Sequence, residues 1–95
     1  MKAKKESDGF VYIECPGCGF QHRMAVDEPN HLGARWTFNN VFEKPTFTPS
    51  KLVTIGQDPE PNKLCHSFIT DGKIRFLEDC SHHLKGQTVE LPDIE

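Results

Sequence analysis

The stretch LCHSFITDGKIRFLE, Leu64 to Glu78, decides the fold. Apolar and polar residues alternate on both sides of Asp71-Gly72, and an Asp-Gly pair favours a two-residue hairpin turn because both turn positions need a positive φ. Side chains alternate between the two faces of a strand, so this turn would place Cys65 on one face, opposite Glu78, and His66 on the other. The sequence therefore predicts an antiparallel hairpin of fixed register.

Other segments extend the β pattern. Residues 10–14 and 20–26 are rich in β-branched and aromatic residues or partly alternate, which predicts two short strands with a turn between them. Residues 88–91 are a candidate final strand, and residues 81–85 have room for one short helical turn. No segment has the pattern of a long amphipathic helix. The sequence predicts a mainly β, small antiparallel domain of the zinc-ribbon or zinc-knuckle kind, with at most one short helical turn.

Composition limits the size of the core and the class of partner. Only 36% of the 95 residues are hydrophobic, so a metal would help to stabilise the single domain predicted over residues 10–95. Residues 1–9 read as a flexible N-terminal tail. The net charge of -3 argues against a general nucleic-acid-binding surface. No apolar run approaches the roughly 20 residues that cross a bilayer, so we expect no membrane contact and a cytoplasmic location.

The four cysteines suggest where the metal binds. Cys15-Pro-Gly-Cys18 has the spacing of a zinc knuckle, in which a tight turn points both sulfurs inward. Strand alternation brings Cys65 and Cys80 to the same face, so these four thiols would complete a tetrahedral Zn²⁺ site. His83 is an alternative to Cys80, and a slip in the hairpin would bring in His66. The candidate ligands are thus Cys15, Cys18, Cys65, Cys80, His83 and His66.

The sequence favours neither a redox role for the first two cysteines nor metal binding by the other histidines. A thioredoxin-like redox pair needs a helix after the second cysteine, and none follows Cys18. His22, His31 and His82 are assigned to surface or hydrogen-bonding roles rather than to metal binding. Local sequence marks no Ser/His/Asp arrangement and no Gly-x-Ser-x-Gly elbow.

A zinc ion with four protein ligands stabilises a fold without doing chemistry, and this is the expected case. If only three donors bound the ion, a water molecule would take the fourth position. Glu78 or Asp79 could then act as the general base of metal-assisted hydrolysis.

Several blocks of the sequence resemble a known family. Residues 36–40, 44–50, 65–72 and 79–89, preceded by Cys15-Pro-Gly-Cys18, are similar in order and spacing to an uncharacterised family of small phage and prophage proteins. Members of that family are often labelled ammonia monooxygenase, but nothing in this chain resembles that membrane-bound enzyme.

The resemblance implies a phage origin and an intracellular, accessory role, without an established activity. The Cys-His pair of the family corresponds to Cys65 and His66. Its Asp-x-x-His pattern corresponds to Asp79 and either His82 or His83.

We therefore expect a phage or prophage binding module with structural zinc, which engages a host or phage protein and is not itself an enzyme. Interference with a host defence system is one use of such a module. The alternatives are a small metal-dependent hydrolase or nucleotide-processing enzyme, and a zinc-ribbon nucleic-acid binder.

Overall fold

The computed structural model describes residues 1–57 and 60–94, with side chains described outside residues 55–63. Within these residues every regular element is a β-strand, and no helix is present. The strands are β1 (Lys4–Lys5), β2 (Phe10–Glu14), β3 (Gln21–Ala25), β4 (Thr37–Phe38), β5 (Phe47–Gln57), β6 (Glu60–Thr70), β7 (Lys73–Phe76) and β8 (Thr88–Glu90). The prediction of a mainly β, small antiparallel domain is confirmed.

The strands form two antiparallel sheets. The small sheet has the order β1-β2-β3, and the large sheet has the order β4-β5-β6-β7-β8. The predicted hairpin joins β6 to β7, with φ values of 51° at Asp71 and 79° at Gly72. Thr70 pairs with Lys73, as the two-residue turn requires. In the described residues no helix is long and apolar enough to span a membrane.

The inner faces of the two sheets share one core. Val11 and Ile13 of the small sheet are fully buried in the same cluster as Ile69, Ile74 and Phe76 of the large sheet. The alternation in β7, where Lys73 and Arg75 are exposed, produces this inward face. Burying each large apolar side chain contributes about 1.5 to 3 kcal/mol. The core is therefore made by strand alternation in both sheets.

The hairpin register departs from the prediction beyond Phe76. The β6–β7 pairing ends at Ser67 and Phe76, so Cys65 does not pair with Glu78. The chain turns instead, and the Cys80 N–H donates to the Leu77 carbonyl at 3.1 Å. This turn carries Cys80 off the line of the strand. Two overlapping turns follow, the first closed by a bond from the Lys85 N–H to the His82 carbonyl at 3.2 Å.

The first residues, for which the sequence predicts a flexible tail, are placed against the fold. Lys4 and Lys5 pair with Tyr12 and Val11 as an edge strand of the small sheet. Ala3 is fully buried, and its N–H donates to the Phe42 carbonyl at 3.1 Å. The burial of Ala3 and the pairing of β1 hold the first residues against the rest of the domain.

The shared core yields a stability prediction. Replacing the fully buried Ile74 with alanine should lower the free energy of unfolding by about 3 kcal/mol, because it removes buried methyl groups and leaves a cavity. Leu32 is 81% exposed, so Leu32→Ala is a matched control that should change the free energy by less than about 0.5 kcal/mol. Urea denaturation followed by circular dichroism measures both. Equal losses in the two variants would contradict this description of the core.

Candidate functional site

A bulge in β5 is the first feature of the site. Phe47 pairs with Ile69 and Lys51 pairs with Ser67, so three residues of β5 face a single residue of β6. Extra residues of this kind bend a strand and re-aim its side chains, and they are common beside active sites. Ser50 is the last residue of the bulge and is half-buried.

Ser50 belongs to a chain of three hydrogen-bonded side chains. Its Oγ lies 2.9 Å from Nε2 of His66, and Nδ1 of His66 lies 3.1 Å from Oδ2 of Asp79. With the ring proton on Nδ1, His66 donates to the Asp79 carboxylate and accepts the Ser50 hydroxyl at Nε2. This is the order of contacts in a Ser-His-Asp triad, in which a histidine activates the serine and the carboxylate orients the histidine.

The triad lies on the outer face of the large sheet. His66 follows Cys65 on β6 and points away from the core, with 26% of its side chain exposed. The Asp79 side chain is 50% exposed, so water screens its charge more than in a fully enclosed triad. The side chains of His66 and Asp79 are therefore accessible to solvent.

The backbone of Ser50 is held by an aromatic side chain. The indole N–H of Trp36 donates to the Ser50 carbonyl at 3.4 Å. The Lys51 ammonium lies 4.4 Å from the centre of the same ring, and burial lowers the pKa of Lys51. Trp36 thus contacts both the Ser50 carbonyl and the Lys51 side chain.

Cys80 holds the backbone of His66. The His66 N–H donates to the Cys80 sulfur at 3.1 Å, and the Cys80 S–H donates to the His66 carbonyl at 3.1 Å. Cys80 is 3% exposed. It therefore fixes the main chain of His66, while the neighbouring Asp79 fixes its ring.

A second group of side chains lies on the opposite side of β6. The ligand atoms of three cysteines and one histidine all lie within 4.8 Å of one another. The sulfurs of Cys15 and Cys65 are 3.9 Å apart, and Nε2 of His82 is 3.5 Å from the Cys65 sulfur. Two of these residues come from the loop after β2, one from β6 and one from the turn between β7 and β8. The group consists of Cys15, Cys18, Cys65 and His82.

Charge is unevenly distributed among these sulfurs. The hydrogen bond from Cys65 and, to a smaller extent, the neighbouring His22 lower the pKa of Cys15 to about 3, against the opposing effect of burial. The same bond, together with burial, raises the pKa of Cys65. Burial and the neighbouring Cys15 thiolate raise the pKa of Cys18 to about 11. Thiols must lose their protons to bind a metal ion, so a divalent cation could replace the protons that these sulfurs share.

Three of the residues proposed from the sequence as metal ligands meet here: Cys15, Cys18 and Cys65. The other three lie outside the group. Cys80 contacts the His66 backbone, His66 belongs to the triad, and His83 is exposed. The turn after Phe76 explains the position of Cys80, because strand geometry no longer carries it toward Cys65.

His82, to which the sequence assigned a surface or hydrogen-bonding role, is the fourth member of the group. Its ring packs edge-on against Phe76, with centroids 4.5 Å apart. Gly17 leaves room for it, since a Cβ at that position would lie 2.3 Å from the ring. The Asp-x-x-His spacing from Asp79 was the sequence signal that could have selected His82 over His83.

The triad is the feature that the sequence did not reveal. Ser50, His66 and Asp79 come from a bulge, a strand and a turn, so no short motif contains them. Three sequence features pointed to this site when taken together. His66 faces outward on its predicted strand, Pro45 and Pro49 mark an irregular strand, and an acidic turn follows the hairpin. None of these features alone identifies a nucleophilic residue.

Comparison with known proteins agrees with this geometry. Residues 1–77 match the model of a family described as "bacterial ubiquitination-like system serine protease (BubE)". The matched range contains Ser50 and His66, and Asp79 follows two residues after it. A search of curated proteins and a search of solved structures found no match. The phage or prophage origin expected from the sequence stays a prediction. Because the family model covers 77 of the 95 residues, the chain belongs to the BubE family of bacterial ubiquitination-like system serine proteases.

Proposed function

We propose that this protein is a serine protease with Ser50 as nucleophile, His66 as general base and acid, and Asp79 as the residue that orients His66. The hydrogen-bonded chain from Ser50 through His66 to Asp79 carries the proposal. The description of the family supports it, and it points to a protein substrate within a ubiquitination-like system.

The first half of the reaction forms an acyl-enzyme. The Ser50 Oγ attacks the carbonyl carbon of the scissile peptide bond, and Nε2 of His66 takes the hydroxyl proton. As the tetrahedral intermediate collapses, His66 gives this proton to the leaving nitrogen, and the peptide C–N bond breaks. The product is an ester between Ser50 and the acyl part of the substrate.

The second half releases the acyl group. A water molecule attacks the ester carbonyl while His66 takes its proton, and His66 then returns a proton to the Ser50 oxygen as the C–O bond breaks. In both halves His66 is transiently an imidazolium. The Asp79 carboxylate stabilises that charge and keeps the proton on Nδ1.

We further propose that Cys15, Cys18, Cys65 and His82 hold a structural Zn²⁺ ion. Three sulfurs and one imidazole nitrogen within 4.8 Å of one another fit tetrahedral zinc. Four protein ligands would leave no position for a water molecule, so the ion would supply stability and no catalytic step. It would tie the loop of the small sheet to β6 and so support the strand that carries His66.

This proposal differs from the two main expectations from the sequence. A metal-dependent hydrolase with Glu78 or Asp79 as general base is replaced by a serine mechanism in which Asp79 contacts His66. A module that only binds a host or phage protein is replaced by an enzyme whose partner is its protein substrate. Interference with a host defence system has no support in the geometry.

A nucleophile test follows from the triad. A fluorophosphonate probe, which reacts with activated serines, should label the protein once per chain at Ser50, because His66 accepts the hydroxyl proton. Ser50→Ala should abolish labelling, while Ser7→Ala, at an exposed serine, should leave it unchanged. Intact-protein mass spectrometry with peptide mapping measures both. Labelling that persists in Ser50→Ala would refute the assignment.

The role of Asp79 can be tested separately. Asp79→Asn should slow labelling by about 10²-fold or more, because the amide no longer favours the proton on Nδ1 of His66. The half-exposed position of Asp79 places the loss below the about 10⁴-fold typical of an enclosed carboxylate. Asp27→Asn, at an exposed carboxylate paired with Lys5, is the matched control. Equal rates in wild type and Asp79→Asn would remove Asp79 from the mechanism.

The metal proposal predicts one zinc per chain by elemental analysis. Cys18→Ser and His82→Ala should lose the ion and unfold at room temperature, because structural zinc supplies about 10 kcal/mol in small domains. Cys80→Ser should keep the ion, since the Cys80 sulfur contacts the His66 backbone instead. A preparation free of metal, with a melting temperature unaffected by chelator, would reject the proposal. Loss of zinc in Cys80→Ser with retention in His82→Ala would restore the ligand set predicted from the sequence.

A further inference from the structure

A cavity opens on the same outer face as the triad. It has a volume of about 480 Å³ and is lined by Phe68, Thr70, Asp71, Lys73, Arg75 and Thr88. Phe68 is 40% exposed, so part of its ring faces solvent in this cavity. This cavity, the Phe68 pocket, has no part in the triad or in the metal group.

The Phe68 pocket begins beside the triad. Phe68 is two residues after His66 on β6, so both side chains lie on the same face. Arg75 is the Cα partner of Phe68, and Thr88 is the Cα partner of Arg75. Paired residues share a face with Cβ atoms about 5 Å apart. The pocket therefore runs from the neighbour of His66 across β7 to β8.

The charges in the pocket are separated along its length. Asp71 is its acidic residue and lies in the hairpin turn, at the end away from His66. Lys73 lies next to that turn and faces Glu90 across the strand pair. Arg75 lies at the end near Phe68. Among the side chains that the structure describes, no carboxylate comes within ion-pair distance of Arg75, whereas Arg23 contacts both Glu6 and Asp8.

We infer that the Phe68 pocket is the specificity subsite of the protease and receives an acidic side chain of the substrate. The inference rests on the proposed serine mechanism. The acidic residue is the one whose carbonyl Ser50 attacks, because the pocket starts one side-chain position from His66. Its methylene groups pack on the Phe68 ring, and its carboxylate binds the planar guanidinium of Arg75 through two parallel hydrogen bonds.

The occupant is selected by charge complementarity. An uncharged apolar side chain would leave the Arg75 guanidinium without a partner at the rim of the pocket. A basic side chain would meet Arg75 as a like charge. The protein as a whole carries a net charge of -3, so this local cation is what would attract an acidic segment to the outer face.

Short peptidyl diphenyl phosphonates, which inactivate serine proteases, give the test. Two probes that differ only in glutamate or glutamine at the residue bearing the phosphonate are compared by their second-order rates of Ser50 modification. Wild-type protein should react about tenfold faster with the glutamate probe, as expected for a charged hydrogen-bond pair. Arg75→Gln should bring this ratio close to one. Arg35→Gln, at an exposed arginine in the loop before β4, should keep the ratio of the wild type.

The outcomes separate the two proposals. Equal rates with both probes in wild type, or a preference that persists in Arg75→Gln, would overturn the subsite while Ser50 modification still supports the protease. If neither the phosphonates nor the fluorophosphonate modify Ser50, the proposed function fails and the subsite fails with it. Zinc content and melting temperature of Arg75→Gln should equal those of wild type. Unchanged values would show that a changed ratio is not a result of misfolding.

Discussion

The alternation of side chains along β6 is the constraint on which the rest of the structure depends. Cys65 and His66 are adjacent, so they must point to opposite faces of the large sheet. Cys65 enters the group of sulfurs on the inner side, and His66 contacts Ser50 and Asp79 on the outer side. One strand therefore contributes Cys65 to the Cys/His group on one face and His66 to the Ser-His-Asp chain on the other.

The segment after β7 contributes residues to both the triad and the Cys/His group. Asp79 contacts the His66 ring, Cys80 hydrogen-bonds to the His66 backbone, and His82 is the fourth member of the Cys/His group. A continued strand would have placed alternate residues on fixed faces. The turn between Leu77 and Cys80 releases the chain from that alternation, so that consecutive residues can serve different faces of β6.

Local patterns in the sequence were sufficient for the hairpin and for three of the clustered cysteines. The Asp71-Gly72 turn and the alternation around it are properties of neighbouring residues, and Cys15-Pro-Gly-Cys18 is a compact motif. The triad was not predictable in this way. Ser50 acquires its position from a bulge whose register depends on pairing with β6, and such pairing is set by tertiary contacts rather than by the bulge residues themselves.

The same reasoning explains why His82, and not Cys80, is the fourth member of the Cys/His group. Strand parity favoured Cys80, but parity applies only while the strand continues, and β7 ends at Phe76. Packing of the His82 ring on Phe76 and the space left by Gly17 are distant in sequence and decide the outcome. Contacts of this kind follow from the assembled fold.

The placement of Asp79, Cys80 and His82 within one short segment has a consequence for local unfolding. This segment lies outside the regular strands and is held to β6 by hydrogen bonds of Leu77 and Ser81. If it detaches while both sheets remain paired, His66 loses its orienting carboxylate and the sulfur group loses its imidazole in the same event. Reactivity and structural integrity would therefore be lost and regained together, on the timescale of that one opening.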